Sequence, residues 1–390
     1  MADRTSLRIL HVIRGLANSS GTTHIVGPLS EAQARLGHTV RVFFVDKPGR
    51  APVVPDPTLV ESTGFPMTVS TRQAGWSRSF ARALPRAVRE ANVVHVHAIW
   101  NFPTWWTMRE ALRAGVPYVV APQGSLEDWA LRRSRCLKSL YARIIERPYF
   151  DRALAMQALT ETEAEQCRRF GIKAPVMVLP NGVDLAAIDR SRRERDLRAE
   201  LSLPRTSVLF LFLGRVFPKK GLDLLVPAFA KLCRETAHAH LLIAGDDAGS
   251  GYLGEVDRLV QANGAAGRIH LLGEVAGNEK FDTLRNADAF VLSSYSEGLP
   301  VAALEAMACR LPVILTHNCN LADIETHEAG WLVEPRTDDV LRALRAALSS
   351  VSERQRRGEN ARTLVEQRYT WSRIADESIS FYRSLPLSTN

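Results

Sequence analysis

Ala289-Phe290-Val291-Leu292-Ser293-Ser294-Tyr295-Ser296-Glu297-Gly298-Leu299-Pro300-Val301-Ala302-Ala303-Leu304-Glu305-Ala306-Met307-Ala308-Cys309 passes from an apolar run through a short polar loop into a helical pattern. The apolar run has the length of a buried strand ending at Ser294, and Pro300 falls where the first turn of a helix tolerates a missing N–H. Such a helix start turns its free N–H groups and its dipole toward whatever the loop holds, which favours an anion such as a diphosphate. Glu297 in the loop and Glu305, about a turn and a half into the helix, are placed to flank one ligand, and carboxylates accept well from sugar and ribose hydroxyls.

The same alternation of short apolar runs with helical patterns extends along the whole chain, which is the mark of an α/β fold with parallel sheets covered on both faces. In the first half the expected strands are 7–13, 39–45, 92–97, 117–121, 153–159 and 176–179. A helical stretch ending at Gly37, a C-cap residue, separates the first two. In the second half they are 208–213, 240–244, 268–272, 289–293, 313–315 and 331–333. At 390 residues, and roughly 150 per domain, two domains are expected. The turn Pro180-Asn181-Gly182-Val183-Asp184 and the charged run 189–200 mark the linker. The expected domains are 1–185 and 186–369, both Rossmann-like doubly wound sheets, with an aromatic-rich helix over 370–390 returning to the first.

Composition narrows the class. Hydrophobic residues make up 46% and charged residues 24%, so the chain is expected to fold throughout. No stretch approaches the ~18 apolar residues of a spanning helix, and the start has no secretory pattern. The five cysteines, Cys136, Cys167, Cys233, Cys309 and Cys319, are scattered without a C-x-x-C pair, which fits a reducing cytoplasm and neither disulfides nor zinc. Net charge is +8, and by count residues 1–185 carry about +9 against about −1 for the rest. The densest basic run, Leu131 to Arg147, mixes arginines with apolar residues as a helix lying on a membrane face would, and as a solvated helix face equally would. Aromatic residues are not interleaved there, so nucleic acid is not expected.

A second motif, Phe212-Leu213-Gly214-Arg215-Val216-Phe217-Pro218-Lys219-Lys220-Gly221-Leu222, follows a strand and opens a helix. It places Arg215 and Lys220 at a carboxyl edge, where open α/β sheets bind ligands, and two cations there suit a diphosphate. Neither half has G-x-G-x-x-G after its first strand, which disfavours a dinucleotide dehydrogenase.

The first motif resembles the E-x7-E segment of retaining family 4 glycosyltransferases (GT-B fold, glycosyltransferase group 1), and the second is similar to that family's G-R-x4-K-G segment. The likeness leans toward members that assemble polysaccharide and lipopolysaccharide. It implies two Rossmann-like domains facing across a cleft, and transfer of a sugar from a nucleotide-diphosphate donor to a glycan, glycolipid or small-molecule acceptor with retention. It implies Glu297, Arg215 and Lys220 as catalytic residues. By the same likeness Arg215, Lys220, Gly273, Glu274, Glu297, Gly298, Leu299, Pro300 and Glu305 are expected to bind the donor. Gly21, His97, Trp100 and Gln123 stand on the acceptor side. The sequence departs from the family at Arg310, usually glycine, at Gln123, where many relatives have histidine, and at Gly21-Thr22, where a second glycine is missing. No metal or other cofactor is expected, since no D-x-D or His/Cys ligand cluster is visible. The expected location is cytoplasmic, with a peripheral contact at the inner membrane face through the basic first half. A nucleotide-sugar epimerase of the same fold is the alternative, and a catalytically silent sugar-nucleotide sensor a third reading.

Overall fold

The computed structural model describes residues 6–16, 23–46, 52–68, 75–127, 145–191 and 194–384. The chain separates into two compact units, Met1–Gly182 with Trp371–Asn390, and Val183–Thr370. Each is an all-parallel sheet with helices, as expected of apolar runs too continuous for a half-exposed sheet.

The first unit holds seven strands in the order β3-β2-β1-β4-β5-β6-β7. They are β1 (Arg8–Ile13), β2 (Thr39–Asp46), β3 (Glu61–Pro66), β4 (Val93–His97), β5 (Tyr118–Ala121), β6 (Ala155–Ala158) and β7 (Val176–Val178). Strand β3 was not anticipated: it is an edge strand with one buried apolar side chain, Phe65, and it ends in proline, so it has no apolar run to betray it. The helix Arg78–Glu90 buries Phe80, Leu84, Ala87 and Val88, spaced to make one stripe, and Ser77 caps it by accepting from the Phe80 N–H at 3.3 Å. Gly37 takes φ 90° after the helix Thr23–Arg35, a conformation suited to glycine.

The second unit holds β8 (Val208–Leu213), β9 (Ala239–Ala244), β10 (Ile269–Gly273), β11 (Ala289–Leu292), β12 (Val313–Thr316) and β13 (Gly330–Val333), in the order β10-β9-β8-β11-β12-β13. The strand order therefore reverses direction between β1 and β4 in one sheet and between β8 and β11 in the other. Open sheets bind ligands outside the carboxyl ends of strands at such points. The charged run after Gly182 is packed against this unit. Leu197 is buried, and Arg198 donates to Ser207 O and Asn286 O, each at 3.0 Å.

The final helix, Trp371–Ser384, belongs to the first unit although it follows the second. Trp371, Ile374 and Ala375 pack with Ile25, Leu29, Ala32 and Leu179, while Ile379 and Tyr382 join Ile9, Ile13 and Val93. Each such buried side chain contributes about 1.5–3 kcal/mol, ample to hold a helix at a chain end. Trp371→Ala should therefore lower the free energy of unfolding by about 3 kcal/mol, measured from urea midpoints. A loss below about 1 kcal/mol would contradict this docking.

Candidate functional site

At the reversal point of the second sheet, two connections are stitched together by backbone. After β8 the chain makes a short turn over Pro218–Lys220 that closes at Gly221, where φ is 69°. A Cβ at Gly221 would lie 2.0 Å from Ser293 O, so only glycine fits. Ser293 Oγ donates back to Gly221 O at 2.8 Å, and the Tyr295 N–H donates to Lys219 O at 2.8 Å. Gly245 is equally constrained: its Cβ would meet Gly214 O at 1.9 Å, and its N–H donates to Gly273 O at 2.7 Å. The carboxyl ends of β8, β9 and β10 thus lie close together with no side chain between Gly214 and Gly245.

Lys220 and Glu297 meet across this edge. Lys220 Nζ is 2.7 Å from Glu297 Oε1, which also accepts from Ser294 Oγ at 2.6 Å. Their side chains keep 21% and 12% of their exposure, enough for a ligand to reach them. The Glu297 N–H donates to Asn318 O at 2.9 Å, and Asn320 Nδ2 donates to the Glu297 carbonyl. Thr316 Oγ1 donates to Ser294 O at 2.6 Å and Asn318 Nδ2 to Tyr295 O at 3.0 Å. Loop 293–298 is thus fixed by the end of β12, through residues the sequence reading missed. The signal available was a polar cluster, Thr316 to Asn320, directly after a strand.

The helix Val301–Ala308 has Pro300 as its N-cap, one position earlier than expected, and no side chain caps it. Gly298 is partly exposed, while Leu299 and Pro300 are buried. Glu305 pairs with Lys280 at 2.6 Å, another partner that sequence reading missed because it stands on a different helix, Gly277–Asn286. Arg215 is exposed and makes no ion pair with a described residue, leaving its guanidinium available. Gly273 takes φ 76° at the end of β10, with Glu274 exposed beyond it. Beside Glu297, burial pushes the Cys319 thiol up to about 12, so it offers no thiolate.

In the first unit, the carboxyl ends of β4 and β5 carry three non-glycine residues in the left-handed region: Ala98 (φ 65°), Trp100 (φ 69°) and Gln123 (φ 52°). Conformations of this kind cost of order 1 kcal/mol each and gather at functional edges. Buried carboxyl groups hold them. Glu146 accepts from the Trp100 N–H at 3.0 and 3.3 Å, and Glu163 accepts from Gly124 N at 2.6 Å and Leu159 N at 2.7 Å. The Trp100 ring is partly buried, with Phe170 at 6.2 Å between centroids. Gln123 Nε2 lies 3.2 Å from His97 Nδ1, so these two expected acceptor-side residues touch. Gly21 lies outside the described residues, as does the basic run 131–147 up to residue 144. Arg147, its last residue, donates to Gly171 O at 2.8 Å.

The expectation of no histidine cluster is overturned. Parallel pairing sets His11 of β1 opposite His95 of β4, with His97 two residues on along the same face, and all three are buried. Strands 84 residues apart in sequence gave no local spacing to read. Among the described residues this is the only group of three side chains able to share a metal ion. His11 Nδ1 and His97 Nε2 are a hydrogen-bonded pair at 2.8 Å, while His95 stacks on His97 with ring centroids 4.2 Å apart. Burial pushes His11 down to about 4 and holds His95 and His97 well below the usual imidazole range. Four cysteines, Cys167, Cys233, Cys309 and Cys319, are free thiols. Among the described residues no helix is long and apolar enough to cross a membrane.

Comparison with known proteins supplies the context. Residues 20–182 match the family model "Glycosyl transferase 4-like domain", and residues 193–364 match "Glycosyl transferases group 1". Among curated proteins, a D-inositol 3-phosphate glycosyltransferase of Segniliparus rotundus is 26% identical over 297 residues, 75% of this chain and 66% of that one. One from Rhodococcus opacus is 29% identical over 315 residues, 77% and 68% of the two chains. The chain thus spans about two thirds of the length of these relatives. Among solved structures, sucrose-phosphate synthase from Thermosynechococcus elongatus superposes with a TM-score of 0.76 over 97% of this chain and 98% of that one, at 21% identity. Anabaena Alr3699/HepE, in complex with UDP and glucose, gives 0.76 over 97% and 100% at 16% identity. The fold is therefore of the GT-B class.

The buried Glu146 yields a pH-dependent prediction. Burial pushes its carboxyl up to about 8 from the ordinary 4.5, so between these values the folded protein holds a proton that the unfolded chain has released. Its contribution to stability thus falls as pH rises through that window. Glu146→Gln keeps an acceptor for the Trp100 N–H and removes the titration. The stability of this variant relative to wild type should rise from pH 5 to pH 8 by on the order of 1 kcal/mol per pH unit. A difference that does not change with pH would show that Glu146 ionises freely.

Proposed function

The chain belongs to the glycosyltransferases, with a glycosyl transferase 4-like domain followed by a group 1 domain, and on that premise we propose that it moves a sugar with retention from a nucleotide-diphosphate donor to a hydroxyl acceptor. The observation that carries this reading is the Lys220–Glu297 contact at the reversal point of the second sheet, beside exposed Arg215 and the uncapped start of the helix Val301–Ala308.

In this mechanism Arg215, Lys220 and the N–H groups after Gly298 take up the charge of the donor diphosphate. Donor binding draws Lys220 toward phosphate oxygen and leaves Glu297 to accept from the sugar hydroxyls. Glu305, set by Lys280, accepts from the ribose, and the Gly273–Glu274 turn lies beside the base. The bond from the anomeric carbon to the diphosphate oxygen breaks while the acceptor oxygen bonds to the same face of that carbon. The acceptor's proton passes to the departing diphosphate. Preorganised cations and helix N–H groups provide the electrostatic stabilisation that acyl- and phosphoryl-transfer sites also use, so no metal ion is required.

Sugar transfer is supported by the relatives' names, and the donor class by the neighbour solved with UDP and glucose. Trp100 and Gln123 line the acceptor side, with buried His97 behind Gln123, and a glycan, glycolipid or small-molecule hydroxyl compound is the acceptor. The strained, carboxylate-held edge of β4 and β5 supports that placement. A cytoplasmic protein touching the membrane face through the basic first half fits a lipid-linked acceptor. Nucleic acid has no part in this reading.

Thermal-shift screening against UDP-, GDP-, ADP- and dTDP-sugars identifies the donor, since only the folded protein binds it. With UDP-glucose and D-inositol 3-phosphate as first probes, Lys220→Ala and Glu297→Ala should each lower transfer by at least about 10²-fold with unchanged circular dichroism. Transfer should also survive EDTA. Near-normal turnover in either variant, or abolition by the chelator, would defeat the assignment.

A further inference from the structure

A file of buried polar side chains runs from the final helix to the carboxyl edge of β5, and its direction is determined from one end. Ser378 Oγ donates to Ala375 O at 2.7 Å. With its proton placed there, Ser378 Oγ accepts from Gln33 Nε2 at 2.9 Å, and the Tyr382 hydroxyl interacts with both side chains. The Gln33 carbonyl oxygen is thereby turned to His11 Nε2, 2.7 Å away, and that nitrogen carries a proton.

Burial keeps His11 neutral, so its Nδ1 is a lone pair. The nitrogen facing it at 2.8 Å, His97 Nε2, must then be an N–H. His97 is likewise held neutral, its Nδ1 is a lone pair, and the Gln123 amide 3.2 Å away meets it with Nε2. Reversing any one link sets two acceptors or two donors against each other. Ser378, Gln33, His11 and His97 are all buried, so water cannot relieve such a clash. The consequence falls on the last atom: Gln123 Oε1 is buried and has no hydrogen-bond partner. Gln157, Gln166 and Asn181 also carry a buried amide oxygen with no partner, and Gln123 differs from them in standing just past the carboxyl end of β5.

We propose that Ser378, Gln33 and His11 are positioning residues that fix the His97 tautomer and the Gln123 amide, so that the unpaired carbonyl oxygen of Gln123, and not its NH2 group, is what remains to accept from one hydroxyl of the acceptor substrate. The use of that oxygen rests on the glycosyl-transfer reading above; the direction of the relay does not. A helix reaching the first unit after the second thereby determines which hydrogen-bond partner the edge of β5 accepts. A compound with hydrogen or a methyl ether at the matching position has no proton to offer and is discriminated against.

The test is made on the full-length protein with isotope-labelled histidine. Nitrogen and ring-carbon NMR shifts should show His11 and His97 both neutral with the proton on Nε2. Ser378→Ala removes the anchor and should give mixed tautomers at both rings, while Ser378→Thr, which keeps a hydroxyl, should restore the single form. His97 protonated on Nδ1 in the wild type, or tautomers unmoved by Ser378→Ala, overturns the relay. With UDP-glucose and D-inositol 3-phosphate as probes, Ser378→Ala should raise the KM for the acceptor about tenfold and leave kcat and donor KM within about twofold. An unchanged acceptor KM overturns the hydroxyl subsite. Because the tautomers are read without substrate, failure of the transfer reading itself, seen as no turnover with any sugar nucleotide, is distinguished from failure of the relay.

Discussion

Parallel pairing of β8 with β11 is the constraint on which the candidate site depends. These strands are far apart in sequence, yet hydrogen bonding sets Phe210 beside Ala289 and Leu211 beside Phe290, so their carboxyl ends finish together. From those ends emerge Lys220 and Glu297, and the glycine contacts at Gly221 and Gly245 leave no room for the connections to drift. A cation and a carboxylate are held close before any ligand arrives. The backbone around the pair is fixed by these contacts, so only the two side chains have to move when a ligand binds.

The first unit solves a different problem. Its loops after β4 and β5 adopt unfavourable backbone conformations at Ala98, Trp100 and Gln123, and buried Glu146 and Glu163 hold the loops by accepting their N–H groups. Beneath that edge, neutral imidazoles continue the hydrogen bonding to the final helix. Burial makes this possible, because it suppresses protonation of His11, His95 and His97 and so keeps a donor and an acceptor on each ring. The helix itself is secured by apolar burial of Trp371, Ile374, Ile379 and Tyr382, so packing and polar order support one another.

Much of the fold was legible because buried parallel strands write themselves as apolar runs. All six strands of the second unit lie where such runs predicted them, and Trp371 and Tyr382 near the chain end proved to be buried, with Phe381 partly so. Strand β3 was not legible, since an edge strand with one buried apolar residue carries no run. Local motifs also pointed to Lys220 and Glu297, which the structure sets in contact, because strand, loop and helix start follow one another in sequence. What could not be read was anything made by distant pairing: Lys280 opposite Glu305, Asn318 and Asn320 on the Glu297 loop, and the three histidines. Those contacts exist only once strands and helices have taken their places.

The most direct measurement is a structure determined with UDP bound. The account predicts that the diphosphate lies within about 2.7–3.2 Å of Lys220 Nζ and the Arg215 guanidinium, with backbone N–H groups between residues 298 and 302 completing its shell. It also predicts that Lys220 has released Glu297. A diphosphate bound elsewhere, with the Lys220–Glu297 pair intact and Arg215 still in solvent, would contradict it.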